Sequence, residues 1–352
     1  MSRLFSFLFG WRKRRQEKDS VPPSREMEEL STLMETIRSP TSPEDRGQAD
    51  YARLQRAQAA CIQIREAAKH SDQEQDQVAI DAALLEIEER LHEIKTIAQK
   101  AQDGARTLVR RAIDTYKMAT NGWHRDTLKE SMEVHQETLS TLEQNKGWLT
   151  VPLGTGRSES RRWIRNAALL SAQMAVLSDA ESNQVPTSYS VQSCGKILLS
   201  LLDDMREDDN TKGFLLAYAI DVESIFSSLV DHVDFLTEQE YASTLRATVR
   251  DVEKRFQQSG YKPPHLTSIL GRVGDLENRT RLARRVVRTV SRQPTGMPEN
   301  GLVRLMSDRD DAVLSATYNL VHRGFLRRKD IDGTSHLLVA RHKVPSWWMR
   351  SD

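Results

Sequence analysis

The stretch IDAALLEIEERLHEIKTIAQKAQDGARTLVRRA, residues 80–112, decides the fold. Its apolar side chains fall at Ile80, Leu84, Ile87, Leu91, Ile94, Ala98, Ala101, Ala105, Leu108 and Ala112, in alternating steps of four and three. That alternation is a heptad repeat, which draws one narrow stripe along a slightly underwound helix. So narrow a stripe requires a partner helix, either from a second copy of the chain or from a long intramolecular hairpin. Leu takes the a positions of the first half and Ile the d positions, which in a parallel coiled coil favours three or four strands over two. Ile80, Leu84, Ile87, Leu91 and Ile94 are therefore the candidate self-association residues.

The flanking sequence extends this helical reading. Residues 50–69 form a first helix with Tyr51, Leu54, Ala57, Cys61, Ile64 and Ala68 near one face. Ser71 or Asp72 can cap the long helix, which stops at Asn121-Gly122. A third helix, 124–145, carries Leu128, Met132, His135, Leu139 and Leu142. His135 reads as a core histidine, because no second ligand sits one turn away. Residues 51–147 are thus expected to form a helical hairpin or coiled coil. Loop 148–158 contains Gly154-Thr155-Gly156, which lacks the dinucleotide and P-loop patterns and reads as a turn.

A helical bundle is expected over 159–292, with helices near 159–178, 195–207, 212–235, 238–258 and 265–292. The Ser-, Asn- and Gln-rich stretch 179–194 reads as an exposed loop. Thr237 and Glu240 have capping-box spacing ahead of Leu245, Val249, Val252 and Phe256, and Gly260 closes that helix. The last helix ends in Arg279, Arg281, Arg284, Arg285, Arg288 and Arg292. Such a face can bind phosphates, or it can pair with acids of the same chain. Arg281, Arg284, Arg285 and Arg288 are candidate phosphate ligands.

The chain opens on Leu4, Phe5, Phe7, Leu8, Phe9 and Trp11, followed by Arg12, Lys13, Arg14 and Arg15. A secretory signal would place most of its charge before the apolar run. Rings in the acyl boundary and cations among anionic headgroups suit a peripheral membrane anchor over residues 1–15. Each cation near such a surface contributes about 1 kcal/mol. Nuclear import, nucleic-acid contact and internal packing are the alternatives. Residues 16–50, with Pro22-Pro23 and Pro40 and Pro43 around one short helix at 26–37, read as a flexible linker.

After a linker at 293–301 the pattern changes. A short helix at 301–306, a second helix capped by Ser307 and ended by Gly324, and strands at 325–329 and 336–340 follow, with Asp332-Gly333 as a hairpin turn. Helix, turn, helix and hairpin over 299–343, with the passage Leu-Val-His-Arg-Gly-Phe-Leu at 320–326, resemble the winged-helix domain. That resemblance implies a recognition helix and a wing, and use of the domain on DNA or on a protein partner. Asp308, Asp310 and Asp311 at the helix front would repel a phosphate-lined groove. The basic wing, Arg327, Arg328 and Lys329, keeps non-specific nucleic-acid contact open. The tail 344–352, with Trp347-Trp348-Met349, can meet a partner or dock back on this domain.

The fold class expected is mainly α, with a helical hairpin and bundle followed by a small C-terminal α+β winged helix. Net charge is +1, but residues 1–18 carry +5, residues 19–240 carry −14 and residues 241–352 carry +10. Basic ends around an acidic middle favour self-contact or anionic partners. Cys61 and Cys194 make no disulfide framework or metal spacing, which favours a reducing compartment. No run of about 18–20 uninterrupted apolar residues crosses a bilayer. No His-Glu-x-x-His, Cys cluster, Gly-x-Ser-x-Gly or P-loop is present, so neither catalysis, metal nor cofactor is expected.

These readings describe a non-enzymatic, cytoplasmic, peripheral membrane scaffold that self-associates and recruits protein through its winged helix. An amphipathic start, a helical hairpin and a distal winged helix are similar in order to the ESCRT-III and phage-shock filament proteins. The alternative is a nucleic-acid-associated factor (a regulator, a partition protein or a viral replication accessory), nuclear if eukaryotic, that binds phosphates through its basic final third.

Overall fold

The structure, a computed structural model, describes residues 25–39, 47–68, 74–153, 158–204, 212–231 and 233–350. The anchor at 1–15, the caps Ser71 and Asp72, and the Gly154-Thr155-Gly156 turn lie outside the described residues. The protein is mainly α, with one small antiparallel sheet near the C-terminal end. Two compact units are present, one reaching to Asp103 and including the segment that begins at Asn145, the other taking Gly104–Gln144 and the chain from residue 157 onward.

The first unit is built from α1 (Arg25–Arg38), α2 (Gln48–Ala68), the first part of α3 (Glu74–Thr120) and the single turn α5 (Lys146–Leu149). The six α2 residues expected on one face are the six that are buried. They pack with Ile80, Ala83, Leu84, Ile87, Leu91 and Ala98 of α3 and with Leu30, Met34 and Ile37 of α1. α1 is the short helix expected at 26–37, but it is no free tether, because its apolar stripe at steps of four and three is buried in this core. Arg38 grips Glu86 at 2.9 Å, and Arg90 donates to the Ile37 carbonyl at 3.2 Å, so α1 is tied at its C-terminal end. Gly47, at φ +101°, lets the start of α2 lie against the Gly147 backbone, where a Cβ would come within 2.5 Å of the carbonyl oxygen.

The heptad stripe is covered from within the chain. Ile80, Leu84, Ile87 and Leu91 are buried and Ile94 is half-buried against the same cluster. They are core residues of the first unit, so the stripe finds its partner helices in the same chain. Beyond Ala98 the buried positions become Gln102, Ala105, Val109 and Ala112, so Ala101 and Leu108 yield to their neighbours. A straight helix gains about 20° per heptad on a 3.5-residue repeat, and three heptads after Ile80 that drift brings the next residue to the core. Gln102 takes its buried place by donating to the Val151 carbonyl at 3.0 Å.

The second unit comprises the end of α3, α4 (Arg125–Gln144), α6 (Ser158–Asn183), α7 (Ser188–Asp204), α8 (Lys212–Asp231), α9 (Tyr241–Gln258) and α10 (Leu266–Ser291), then the sheet-bearing region. The boundary therefore runs through α3, and α4 joins the bundle instead of completing a hairpin over 51–147. The stretch 179–194 is mostly helix and not a loop. Ala180, Val191 and Cys194 enter the core, while Asp179 and Glu238 accept the free amides of Thr187 and Ser188, each at 2.6 Å. Glu238 thus caps α7 from a distance. The capping box expected of Thr237 and Glu240 does not form.

Three buried tyrosines reach partners inside the bundle: Tyr116 to Ser228 at 2.8 Å, Tyr218 to the Leu198 carbonyl and Tyr241 to the Leu229 carbonyl, both at 2.9 Å. A buried phenol without such a bond would cost free energy, so these bonds fix the register of the helices. α8 is the one described helix long and apolar enough to cross a bilayer, but Val222, Ile225, Phe226, Leu229 and Val230 are buried in the bundle core.

The sheet-bearing region runs β1 (Met297–Pro298), α11 (Glu299–Leu305), α12 (Asp310–His322), β2 (Leu326–Ile331), β3 (Thr334–Val339) and a 3-10 turn at Ser346–Met349. The strand order is β1-β3-β2, all antiparallel. Asp332 and Gly333, at φ +52° and +77°, form the two-residue turn that the twist of a hairpin prefers. Two sequence expectations change here. Met297, inside the expected linker, is buried and pairs with Leu337, and the residue before α12 is Arg309, with no side-chain cap from Ser307.

Candidate functional site

The core of the sheet-bearing region is assembled from distant pieces. Ala283, Val286, Val287 and Val290 of α10 meet Leu302, Val313, Leu320, Phe325, Leu326 and Leu337, together with Phe235 from the loop between α8 and α9. Trp348 fills the centre. Its ring stands 5.5 Å from Phe235 edge-on and 5.4 Å from Phe325 in a stack, and its Nε1 donates to the Leu236 carbonyl at 3.1 Å. Trp347 donates to the Thr237 carbonyl at 2.8 Å. The tail therefore docks back on its own domain, the second of the two fates open to it.

That docking decides the arginine helix. The Arg284 guanidinium lies 4.8 Å over the Trp347 ring, and Arg288 donates to the Trp348 carbonyl at 2.7 Å. Arg285 pairs with Asp308. On β2, Arg328 pairs with Glu299 at 2.8 Å. Four of the seven candidate phosphate ligands are thus engaged internally, while Arg281, Arg327 and Lys329 stay exposed. The even choice between external and internal partners falls to internal pairing for Arg284, Arg285 and Arg288, because the tail and Asp308 lie against the same helix face.

α12 has two faces. Val313, Thr317 and Leu320 are buried. Asp311, Leu314, Tyr318 and His322 look outward, with Leu314 47% and Tyr318 61% exposed. The Tyr318 ring stacks on His322, 6.3 Å between centroids. Asp310 and Asp311 stand exposed at the helix front, and Asp311 forks onto Arg309 at 2.8 and 3.1 Å. A leucine and a tyrosine one turn apart give this helix a small apolar patch in solvent. The signal was present in the sequence as a second i, i+4 pair beside the buried stripe.

The C-terminal end of α12 borders an open cleft of 800 Å³, whose other walls are the α3–α4 turn, the end of α6 and Asp231 and Asp234. Arg323 pairs with Asp234 at 3.1 Å, Arg125 with Glu181 at 3.7 Å, and Arg272 with Asp231. Trp123 and Gln184, at the cleft, hold φ of +56° and +66°. Such values cost about 1–3 kcal/mol outside glycine and persist where the surrounding fold dictates them.

The strongly perturbed groups lie elsewhere, in the core. Burial pushes the Cys194 thiol up to about 12 and raises the Tyr116, Tyr218 and Tyr241 phenols. His135 is buried; Nδ1 donates to the Ser131 carbonyl at 2.7 Å and Nε2 lies 3.0 Å from the Gln173 amide oxygen. The core-histidine reading stands. Among the described residues no group of three or more His, Cys, Asp and Glu is placed to hold a metal ion. No protein-family model, curated protein or solved structure matches this chain.

Proposed function

We propose that this chain is a non-enzymatic peripheral membrane scaffold that recruits a protein partner through the exposed face of α12. The observation that carries the reading is the polarity of that helix: carboxylates at the front, then Leu314 and Tyr318 in solvent. The order α10, β1, α11, α12 and a hairpin closing a β1-β3-β2 sheet supports a winged-helix domain. In such a domain α12 is the helix that would enter a DNA groove, and Asp310 and Asp311 oppose that approach through phosphate repulsion. An apolar, aromatic stripe suits a protein surface instead. The membrane half of the reading rests on the aromatic-basic start, residues 4–15. Self-association through the heptad stripe drops out, since its residues are core.

The alternative, a nucleic-acid-associated factor, keeps support from the exposed cations Arg327 and Lys329. A salt titration of the full chain against duplex DNA and anionic liposomes, side by side, tests the choice. Liposome binding that disappears on removal of residues 1–15, with weak DNA binding that fades steeply with salt, is expected. Sequence-selective, salt-resistant DNA binding would sink the scaffold reading.

A further inference from the structure

β2 is an outer strand, and its register sorts the wing's cations into two classes. Residues directly opposite in an antiparallel pair share a face. Leu326 and Arg328 lie opposite Val339 and Leu337, on the face whose Leu326 and Leu337 are buried, and from there Arg328 reaches Glu299. Arg327 and Lys329 lie opposite Leu338 and His336, on the other face.

Beyond β3 the chain returns to the root of the same hairpin. The Ala340 amide donates to the Phe325 carbonyl at 2.9 Å and the Lys343 amide to the Ala340 carbonyl at 2.8 Å. The Lys343 ammonium is 3.1 Å from where a Cβ on Gly324 would stand, so this lysine covers the residue just before β2. Arg341 and His342 are exposed beside it. Among the described residues no carboxylate pairs with Arg327, Lys329, Arg341 or Lys343, whereas Arg284, Arg285, Arg288, Arg323 and Arg328 are all engaged.

We propose that Arg327, Lys329, Arg341 and Lys343 form a second membrane contact, one that sits on anionic phospholipid headgroups; this rests on the peripheral-membrane reading above. Their charge complements a plane of phosphates. Base recognition would need more, and among the described residues this face exposes no Phe, Tyr or Trp ring on which a base could stack, its rings being the imidazoles of His336 and His342. The neighbouring helix offers a groove Asp310 and Asp311 instead of base-reading cations. An apolar insert alone holds a membrane marginally, and a polybasic patch is the second signal that makes the attachment durable.

The test is co-sedimentation of the full chain with vesicles of mixed phosphatidylserine and phosphatidylcholine, against pure phosphatidylcholine, with duplex DNA as a parallel probe. Replacing Arg327, Lys329, Arg341 and Lys343 together with Gln should weaken binding to the anionic vesicles by roughly tenfold or more, since each cation adds separately. A matched set (Arg110, Arg111, Lys117 and Lys129 to Gln) should leave it unchanged, and Arg327→Lys with Arg341→Lys should retain it. Circular dichroism confirms that each variant is folded. Equal sedimentation of the quadruple variant and the parent overturns this contact while leaving the anchor reading intact. If the parent sediments with neither vesicle, the membrane reading itself falls. Loss of duplex binding with vesicle binding unchanged would assign these cations to nucleic acid and overturn the proposal.

Discussion

Arg288 donates through Nε to the carbonyl of Trp348 at 2.7 Å, binding the end of a long helix to a residue sixty positions later. Beside it, Arg284 stacks on Trp347. A guanidinium can stack flat on an indole and still donate from its edge, which a lysine cannot do. In an arginine row that resembles a phosphate binder, Arg284 and Arg288 clamp two tryptophans.

Removing the clamped ring should be costly. Trp348→Ala leaves Phe235 and Phe325 facing a cavity and strands the Leu236 carbonyl. A loss of about 3–5 kcal/mol is expected, read by urea denaturation. A loss below about 1 kcal/mol would mean that the ring does not hold this core together.

The sheet-bearing region should not fold when cut at the sequence linker. A fragment 294–352 lacks Val286, Val287 and Val290 of α10 and Phe235, all buried against it. Circular dichroism should show it largely unstructured, whereas a fragment beginning at 233 should fold cooperatively. A folded 294–352 would contradict the shared core.

Acid should weaken the bundle through His135. Burial holds its pKa below the usual value, against the smaller opposing effects of its bonds to Gln173 and Ser131. The unfolded chain therefore takes up a proton that the folded chain resists. Stability from the neutral ring is complete above the unfolded pKa of about 6.5 and is lost as pH falls through it toward the folded value. His135→Gln should lose less stability than the parent between about pH 7.5 and about pH 5.5. Parallel pH profiles of denaturation midpoint would refute the assignment.

Ile87→Asp tests the internal stripe. A carboxylate at this fully buried position should cost several kcal/mol and unfold the first unit. Limited proteolysis should then cut within 48–100 while the second unit stays protected. An intact proteolytic pattern would show that Ile87 faces solvent.

The legible parts of the fold were those set by local chemistry. The α2 face, the Asp332-Gly333 hairpin and the end of α3 at Asn121-Gly122 all follow from spacing or from backbone freedom. The heptad stripe was visible, but its partner was not, because a four-three repeat specifies a neighbour without saying whose. The short helix at 26–37 was legible, but its flanking prolines and serines gave no sign that Leu30, Met34 and Ile37 would be buried. At 179–194 polar composition suggested a loop, and distant caps from Asp179 and Glu238 overrode it. The candidate site was half legible: the acidic front of α12 and the basic strand β2 could be read directly. The split of arginines into clamping and free sets could not, since it depends on Trp347 and Trp348 arriving from far along the chain. The exposure of Leu314 and Tyr318 is not legible either, because an exposed apolar pair is conspicuous only once the buried face is known.

The aromatic box sets an order of events during synthesis. Phe235 leaves the ribosome first, and its partner Trp348 follows 113 residues later, so at about 5–20 residues per second the box waits on the order of ten seconds for its last wall. Through that interval Phe235 and the valines of α10 have no indole to cover them. A nascent chain stalled between these points would present a sticky, half-built core to chaperones and proteases, and full translation to Trp348 is what withdraws it.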